Sequence, residues 1–368
     1  MKVLVTGANG FLGKTLVVRL EEVGGFTLDS FLRTDDVSIL QGKVAAADAV
    51  IHLAGENRPA DPSAFMEVNA GLTQLLCDFI RATGRPIPII FASSTQAKLD
   101  NPYGASKRAG EEVLLALSNE PGQSCTIFRL PNVFGKWSRP NYNSAVATFC
   151  HNIARDLPIR IDDPDAPLTL AYVDDVVDAI IASLRSTEAG LHWPEVEPQF
   201  NTTVGAVAET LRAFRASRET LVTERVGEGL PRALYATYVS FLEPAQFSYE
   251  IPTYGDQRGV FVEMLKTPDS GQFSFFTAHP GITRGGHYHH SKTEKFLVIR
   301  GRASFRFRHL LTDETYSIET SGACSTIVET IPGWSHDITN IGDDELIVML
   351  WANEIFDRNR PDTIARSV

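Results

Sequence analysis

Cysteine is scarce in this chain: four in 368 residues, at Cys77, Cys125, Cys150 and Cys324, with no CxxC spacing. That argues against a disulfide framework, and the thiols read as buried residues of a reducing compartment. Positive charge is in deficit as well. Lys and Arg number 34 against 45 Asp and Glu, a formal net charge of −11, which argues against nucleic acid or an anionic membrane as main partner. An anionic substrate stays open, because binding depends on the local field. No uncharged apolar run approaches the roughly 18 residues of a spanning helix. The opening Met-Lys-Val-Leu-Val runs straight into a glycine motif without a signal-peptide cleavage pattern. Internal repeats and low-complexity segments are missing too. What remains is an ordinary globular composition, 43% hydrophobic and 21% charged. The expectation is a cytoplasmic protein with no membrane partner, of two domains or three, since 368 residues are long for one core.

Two textures divide the chain. Up to about residue 190, strand-like runs (Val3–Thr6, Thr27–Leu32, Ala49–Leu53, Ile87–Ala92, Cys125–Leu130) alternate with helical patterns (Gly10–Val23, Pro62–Thr83, Asn101–Ser118). This predicts an α/β, Rossmann-like doubly wound parallel sheet. From about Gly255 there are seven short β-rich runs and no long amphipathic helix: Val260–Leu265, Gln272–Ala278, Lys295–Ile299, Arg302–Arg308, Thr315–Glu319, Thr326–Glu329 and Glu345–Trp351. They predict an all-β sandwich or barrel. The boundary is placed within Leu242–Pro252, giving domains 1–243 and 244–368.

Thr6-Gly-Ala-Asn-Gly-Phe-Leu-Gly13 follows the first strand and opens the first helix. Its glycines permit a tight turn, close approach of backbone to a pyrophosphate, and tight helix–strand packing. The second strand ends at Phe31-Leu-Arg33 with no acidic tip. An acid there would hold a ribose 2′-hydroxyl, whereas Arg33 can hold a 2′-phosphate and tilts the choice to NADP(H). A solvated surface arginine is the bland alternative. Tyr103-Gly-Ala-Ser-Lys107 places a phenol and an ammonium on one helix face. A cation beside a tyrosine favours phenolate, so Tyr103 is expected to exchange a proton with a carbonyl or alcohol near neutrality. Ser94, ending the fourth strand, can bond the same oxygen; Ser93 and Thr95 are its neighbours in contention.

These segments resemble the extended short-chain dehydrogenase/reductases of nucleotide sugars, together with Asp48-Ala-Val-Ile-His-Leu-Ala-Gly55, Asn69-Ala-Gly-Leu-Thr73, Arg129-Leu-Pro-Asn-Val-Phe-Gly135 and Tyr172-Val-Asp-Asp175. The resemblance covers the first 190 residues or so. It implies Tyr103 as general acid/base, Lys107 as orienter of the cofactor ribose, and Ser94 as assistant. It also implies a dinucleotide held by Gly7, Asn9, Gly10, Phe11, Leu12, Gly13, Arg33, Leu53, Ala54, Gly55 and Lys107, and a sugar nucleotide near Asn132. Ser94 and Tyr103 are separated by eight residues, where most members carry a longer insertion, so a more open sugar pocket is expected.

In the β-rich half, Gly281-x5-His287-x-His289-x4-Glu294-x6-Gly301 is similar to the first cupin motif, and Gly333-x2-His336-x3-Asn340 to the second, with Ile331 where proline is usual. On a strand, i and i+2 share a face, so His287 and His289 can converge on one ion with Glu294 and His336. Three imidazoles and a carboxylate leave open positions on a divalent ion and suit zinc, iron, nickel or manganese. The family resemblance implies zinc in a cupin β-barrel, or jelly roll.

Asp256-Gln-Arg-Gly-Val-Phe-Val-Glu263 resembles the opening segment of dTDP-4-dehydrorhamnose epimerases, cupins that invert carbons next to a sugar ketone, and implies a substrate contact at Arg258. The fusion of reductase and cupin resembles a family of bifunctional capsular polysaccharide biosynthesis enzymes. That resemblance implies C3 epimerisation of a UDP-linked 4-keto sugar in the cupin, NADPH reduction of its C4 ketone, and a homodimer. Tyr288, His290, His309 and Glu263 are open candidates for the epimerisation base. Two rivals stay open: a reductase of another 4-keto sugar with a merely dimerising cupin, and a redox sensor without catalysis, against which the intact Tyr103/Lys107 pair weighs.

Overall fold

The computed structural model describes residues 1–368 except Ala60, Pro62, Thr187, Ser248, His290, Ser291, Leu311, residues 331–333 and Arg360. The candidate base His290 and the Ile331–Gly333 part of the second metal motif therefore lie outside the described residues. The chain divides into two compact units, Met1–Leu211 with Ala233–Leu242, and Arg212–Arg232 with Glu243–Val368.

In the first unit, β1 (Lys2–Thr6), β2 (Thr27–Phe31), β3 (Ala49–His52), β4 (Ile89–Ser94) and β5 (Ser124–Leu130) are followed by β6 (Asn132–Phe134), β7 (Pro167–Tyr172), β8 (Gly190–His192) and β9 (Gln199–Thr203). Six of them form one parallel sheet in the order β2-β1-β3-β4-β5-β8; β6, β7 and β9 form a small second sheet. Burial on both faces explains the continuous apolar runs. Val3 and Val5 of β1 face a core shared with Leu16, Leu20, Ile180 and Ile181 of helices Phe11–Val23 and Val173–Leu184. Leu4, between them, faces the opposite core with Leu76, Ile80, Leu114 and Leu117 of helices Leu72–Ala82 and Pro102–Ser118. The strand order reverses between β1 and β3, and ligand sites form beyond the carboxyl ends of strands at such a point.

The helix predicted over Pro62–Thr83 is not continuous. Met66–Gly71 is a π-turn, after which Leu72–Ala82 is regular. Asn69 within the turn is buried and binds both backbone groups of Glu56, accepting from its N–H at 2.7 Å and donating to its carbonyl at 3.0 Å, while also donating to Ser106 Oγ at 2.9 Å. Those tertiary bonds account for the widened turn, a common device near sites.

The second unit contains β10 (Thr253–Asp256), β11 (Gly259–Thr267), β12 (Gly271–Ala278), β13 (Thr283–Tyr288), β14 (Glu294–Arg300), β15 (Arg302–His309), β16 (Thr315–Ser321), β17 (Ile327–Glu329), β18 (Trp334–Asn340), β19 (Leu346–Ala352) and β20 (Ile364–Ala365). Two sheets result, β10-β11-β12-β19-β14-β17 and β16-β15-β18-β13-β20. They share a core of Phe276, Phe296, Val348 and Leu350 from the first and Phe305, Phe307 and Ile338 from the second. This is the β-rich, cupin-like architecture expected. Among the described residues no helix is long and apolar enough to cross a membrane.

One expectation about cysteine is corrected. Cys77, Cys125 and Cys150 are buried, and burial pushes the first two thiols up to about 12. Cys324 is exposed, because it sits in the turn after β16.

Candidate active site and metal centre

A cleft of about 570 Å³ in the first unit is lined by Gly7, Asn9, Gly10, Phe11, Leu12 and Gly13 of the glycine loop, by Leu53 and Gly55 after β3, and by Ser94, Tyr103, Lys107 and Asn132. The loop needs its glycines. Gly7 has φ of +74°, and a Cβ there would lie 2.7 Å from the Ala54 backbone nitrogen; a Cβ on Gly13 would lie 2.2 Å from the Gly7 carbonyl oxygen. Helix Pro102–Ser118 starts where it does because Asn101 accepts from the Gly104 N–H at 2.8 Å and Pro102 occupies the first helical position. That start puts Tyr103 and Lys107 on the face toward β4.

The electrostatics of the pair differ from the motif reading. Burial pushes the Tyr103 phenol upward, opposed by its bond with the Ser94 hydroxyl. The Lys107 ammonium instead donates to the Ala92 carbonyl at 2.9 Å and lies 6.0 Å from the Tyr103 ring centre. Burial lowers Lys107 to about 8, opposed by the Glu111 charge. The expected depression of the phenol by its i+4 cation is therefore absent, because burial outweighs it and the ammonium is aimed elsewhere. Ser93, a rival of Ser94, is turned away: its hydroxyl donates to Glu111 at 2.5 Å.

In the second unit, His287, His289, Glu294 and His336 present ligand atoms that all lie within 4.8 Å of one another. His287 on β13 is directly opposite His336 on β18, and Glu294 opens β14. Glu294 Oε2 is 3.2 Å from His289 Nε2 and 3.5 Å from His336 Nε2. His289 donates through Nδ1 to the Asp362 carbonyl, which leaves Nε2 as the ligating nitrogen. Among the described residues, neither ring nitrogen of buried His336 makes a well-formed hydrogen bond, a costly state unless an ion receives a lone pair. Burial, together with the neighbouring His336, pushes His287 down to about 4, the neutral form that ligation requires. Burial of Glu294 opposes ionisation, but the adjoining His289 and His336 rings and the Lys292 charge hold it far below the usual carboxylate range. The donor set fits a divalent cation.

Residues 3–197 match the NAD dependent epimerase/dehydratase family, and residues 254–364 match a Polysaccharide biosynthesis C-terminal domain. A UDP-2-acetamido-2,6-beta-L-arabino-hexul-4-ose reductase of Pseudomonas aeruginosa is 58% identical over 100% of this chain and 99% of its own. The crystal structure of the capsular polysaccharide assembling protein CapF from Staphylococcus aureus superposes with a TM-score of 0.91 at 39% identity, over 100% of both chains. The chain belongs to the CapF family. RMD from Pseudomonas aeruginosa, complexed with NADPH, shares the fold of the first unit at 20% identity and a TM-score of 0.55, over 65% of this chain and 98% of its own.

Within this CapF-family chain, not every sequence candidate joins a site. Ala54 backs Gly7 instead of lining the cleft. Arg33 also lies outside the cleft lining, its side chain 91% exposed and paired with Glu56 at 3.2 Å. Arg258 sits on the turn between β10 and β11, held by Asp256, outside the four-ligand cluster. Of the base candidates, Tyr288 neighbours His287 at the end of β13, Glu263 is paired with Lys266 at 2.8 Å, and His309 Nδ1 accepts from the Thr312 N–H at 3.1 Å. Sequence reasoning missed Lys292, buried with its ammonium 2.9 Å from Glu294 Oε1, and Asp362, whose carboxylate also accepts from the Lys292 N–H at 2.8 Å. The spacing Lys292-x-Glu294 was the only available signal for the first; the second has none.

Proposed function

We propose a bifunctional nucleotide-sugar enzyme. Residues 244–368 epimerise C3 of a UDP-2-acetamido-2,6-dideoxy-4-hexulose, and residues 1–243 reduce the C4 ketone to give UDP-2-acetamido-2,6-dideoxy-β-L-talose, toward UDP-N-acetyl-L-fucosamine. The observation that carries the reading is the coexistence, in one chain, of a Ser94/Tyr103/Lys107 cleft behind a glycine loop and a buried three-His, one-Glu cluster. The name of the Pseudomonas aeruginosa relative, a hexul-4-ose reductase, supports it.

NADPH, when bound along the glycine loop, supplies a hydride; a divalent cation held by His287, His289, Glu294 and His336, zinc in this reading, supplies a Lewis acid. The protein's own groups do the rest. The Tyr103 hydroxyl, raised by burial and so protonated near neutrality, donates to the C4 oxygen. Ser94 bonds the phenol and shares that oxygen. Asn132, at the cleft wall, holds the sugar nucleotide. A C4 ketone acidifies the C3 proton, so inversion must precede reduction; once the ketone is gone the new centre is locked. Tyr288, His309 and Glu263 are the described candidates to move the C3 proton. The experiment is NADPH oxidation on adding a UDP-linked 2-acetamido-2,6-dideoxy-4-hexulose, with product stereochemistry read by NMR. Oxidation that yields an uninverted C3 would reduce the function to ketoreduction alone.

Arg33 is assigned to the 2′-phosphate, reached by leaving Glu56. Arg33→Ala should cut the NADPH-over-NADH preference in kcat/KM about 10- to 100-fold, the worth of a charge-assisted contact. Equal use of the two cofactors by the unaltered protein would remove this assignment.

A further inference from the structure

Helix Pro102–Ser118 and the end of β4 are matched residue for residue. At i, i+4 and i+8 the helix presents Tyr103, Lys107 and Glu111, which bind Ser94, the Ala92 carbonyl and the Ser93 hydroxyl respectively. The third contact belongs to no part of the chemistry described above. Glu111 is buried, 4% exposed, and its carboxylate is gripped by a fork: Arg129 Nε donates to Oε1 at 2.9 Å and Arg129 Nη2 to Oε2 at 2.6 Å. Arg129 comes from β5, and its guanidinium lies 4.7 Å from the centre of the Trp193 ring. A bidentate, shielded pair of this kind is directional and costly to disturb.

We propose that Glu111 is a positioning residue of the reductase: clamped by Arg129, it holds the end of β4 against the helix so that Ser94 meets Tyr103. The inference rests on reading the cleft as a reductase site. Lys107 is buried, and the Glu111 carboxylate four residues on is itself paired with the Arg129 guanidinium. His52 on β3 is buried between Thr6 and Thr73 and is pushed down to about 3, first by burial and then by Lys107, so it stays neutral. Tyr103 on the same helix stays protonated, and β4 offers only Phe91, Ala92 and Ser93 at this point. Glu111 is thus the anion that opposes the loss of the ammonium's proton. The sign follows: without that carboxylate Lys107 gives up its proton at lower pH, and the alkaline limb of activity moves down.

The test compares Glu111→Gln and Ser93→Ala in the full chain. Glu111→Gln keeps the shape and removes the charge. It should lower kcat about tenfold with KM for NADPH nearly unchanged. Its alkaline limb should move down by about half a pH unit or more, and NMR of nitrogen-labelled lysine should show Lys107 titrating lower by the same amount. Ser93→Ala keeps the ion pair, so Lys107 should titrate as before while kcat falls about threefold from the loosened strand end. An unmoved Lys107 titration in Glu111→Gln, even with a lowered melting temperature, would overturn the electrostatic role. Unchanged kcat in Ser93→Ala would overturn the clamp, and that variant decides it if Glu111→Gln does not fold. If the unaltered protein fails to oxidise NADPH with the keto sugar, the cleft reading falls, while the lysine titration still measures what Glu111 does.

Discussion

Tyr103→Phe is expected to bind NADPH normally and to exchange the C3 proton with solvent at the unaltered rate, yet to oxidise NADPH about 10²- to 10⁴-fold more slowly, the usual worth of a general acid. The ring should stay in place, since it packs at 5.7 Å between centroids against Phe65 and loses only the hydroxyl bonded to Ser94. Folding stability should fall by no more than about 1 kcal/mol, the net value of one such bond. The loss should appear in kcat more than in KM, because the proton is needed only as negative charge develops on the C4 oxygen. Absorbance of NADPH and deuterium uptake at C3, measured on the same sample, separate the two half-reactions. Reduction near the unaltered rate would mean that another group delivers the proton.

His336→Ala should have the complementary phenotype. Bound metal should fall from one ion per chain to a small fraction, and deuterium incorporation at C3 should drop at least about 100-fold, since even partners behind the ligands are worth 10- to 100-fold. NADPH binding should persist, because the glycine loop belongs to a unit with its own core. The metal-free fold should suffer little: removing the ring creates a cavity but also removes two buried nitrogens without a well-formed hydrogen bond among the described residues. A purely structural ion predicts something else, a sharp fall in the melting temperature of metal-depleted protein. Calorimetry and deuterium exchange on that protein decide between them. Full-rate exchange in a folded, metal-free second unit would end the Lewis-acid assignment.

The sequence was legible where burial writes a pattern and silent where it does not. β1, β3 and β5 are covered on both faces and read as apolar runs that match the structure within a residue or two. The helix carrying Tyr103 was marked by Asn101-Pro102 at its start. The three-His, one-Glu cluster was legible as a motif, yet the strands that carry two of its members were not. Thr283-Arg-Gly-Gly-His-Tyr288 contains no aliphatic residue, and Gly285 lies close to the neighbouring strand: a Cβ there would lie 2.9 Å from the His336 carbonyl oxygen. Trp334–Asn340 is buried largely through polar residues, some with partners on other segments, as Asp337 has in Arg306 of β15. Periodicity cannot register either case. The π-turn at Asn69 and the redirected ammonium of Lys107 were invisible for a different reason. Both depend on partners, Glu56 with Ser106 and Ala92, that sequence spacing does not nominate.

The bond between the His289 ring and the Asp362 carbonyl has a consequence during synthesis. All four ligands have been added to the growing chain once His336 is made, but the group that fixes the tautomer of His289 lies 73 residues beyond that histidine, and the β20 strand that pairs with His287 and Tyr288 follows it. Until those later residues emerge, the β-rich segment has its imidazoles but not the bond that orients the His289 ring. A nascent chain stalled before Asp362 should therefore bind a divalent cation weakly, although His287, His289, Glu294 and His336 are all present.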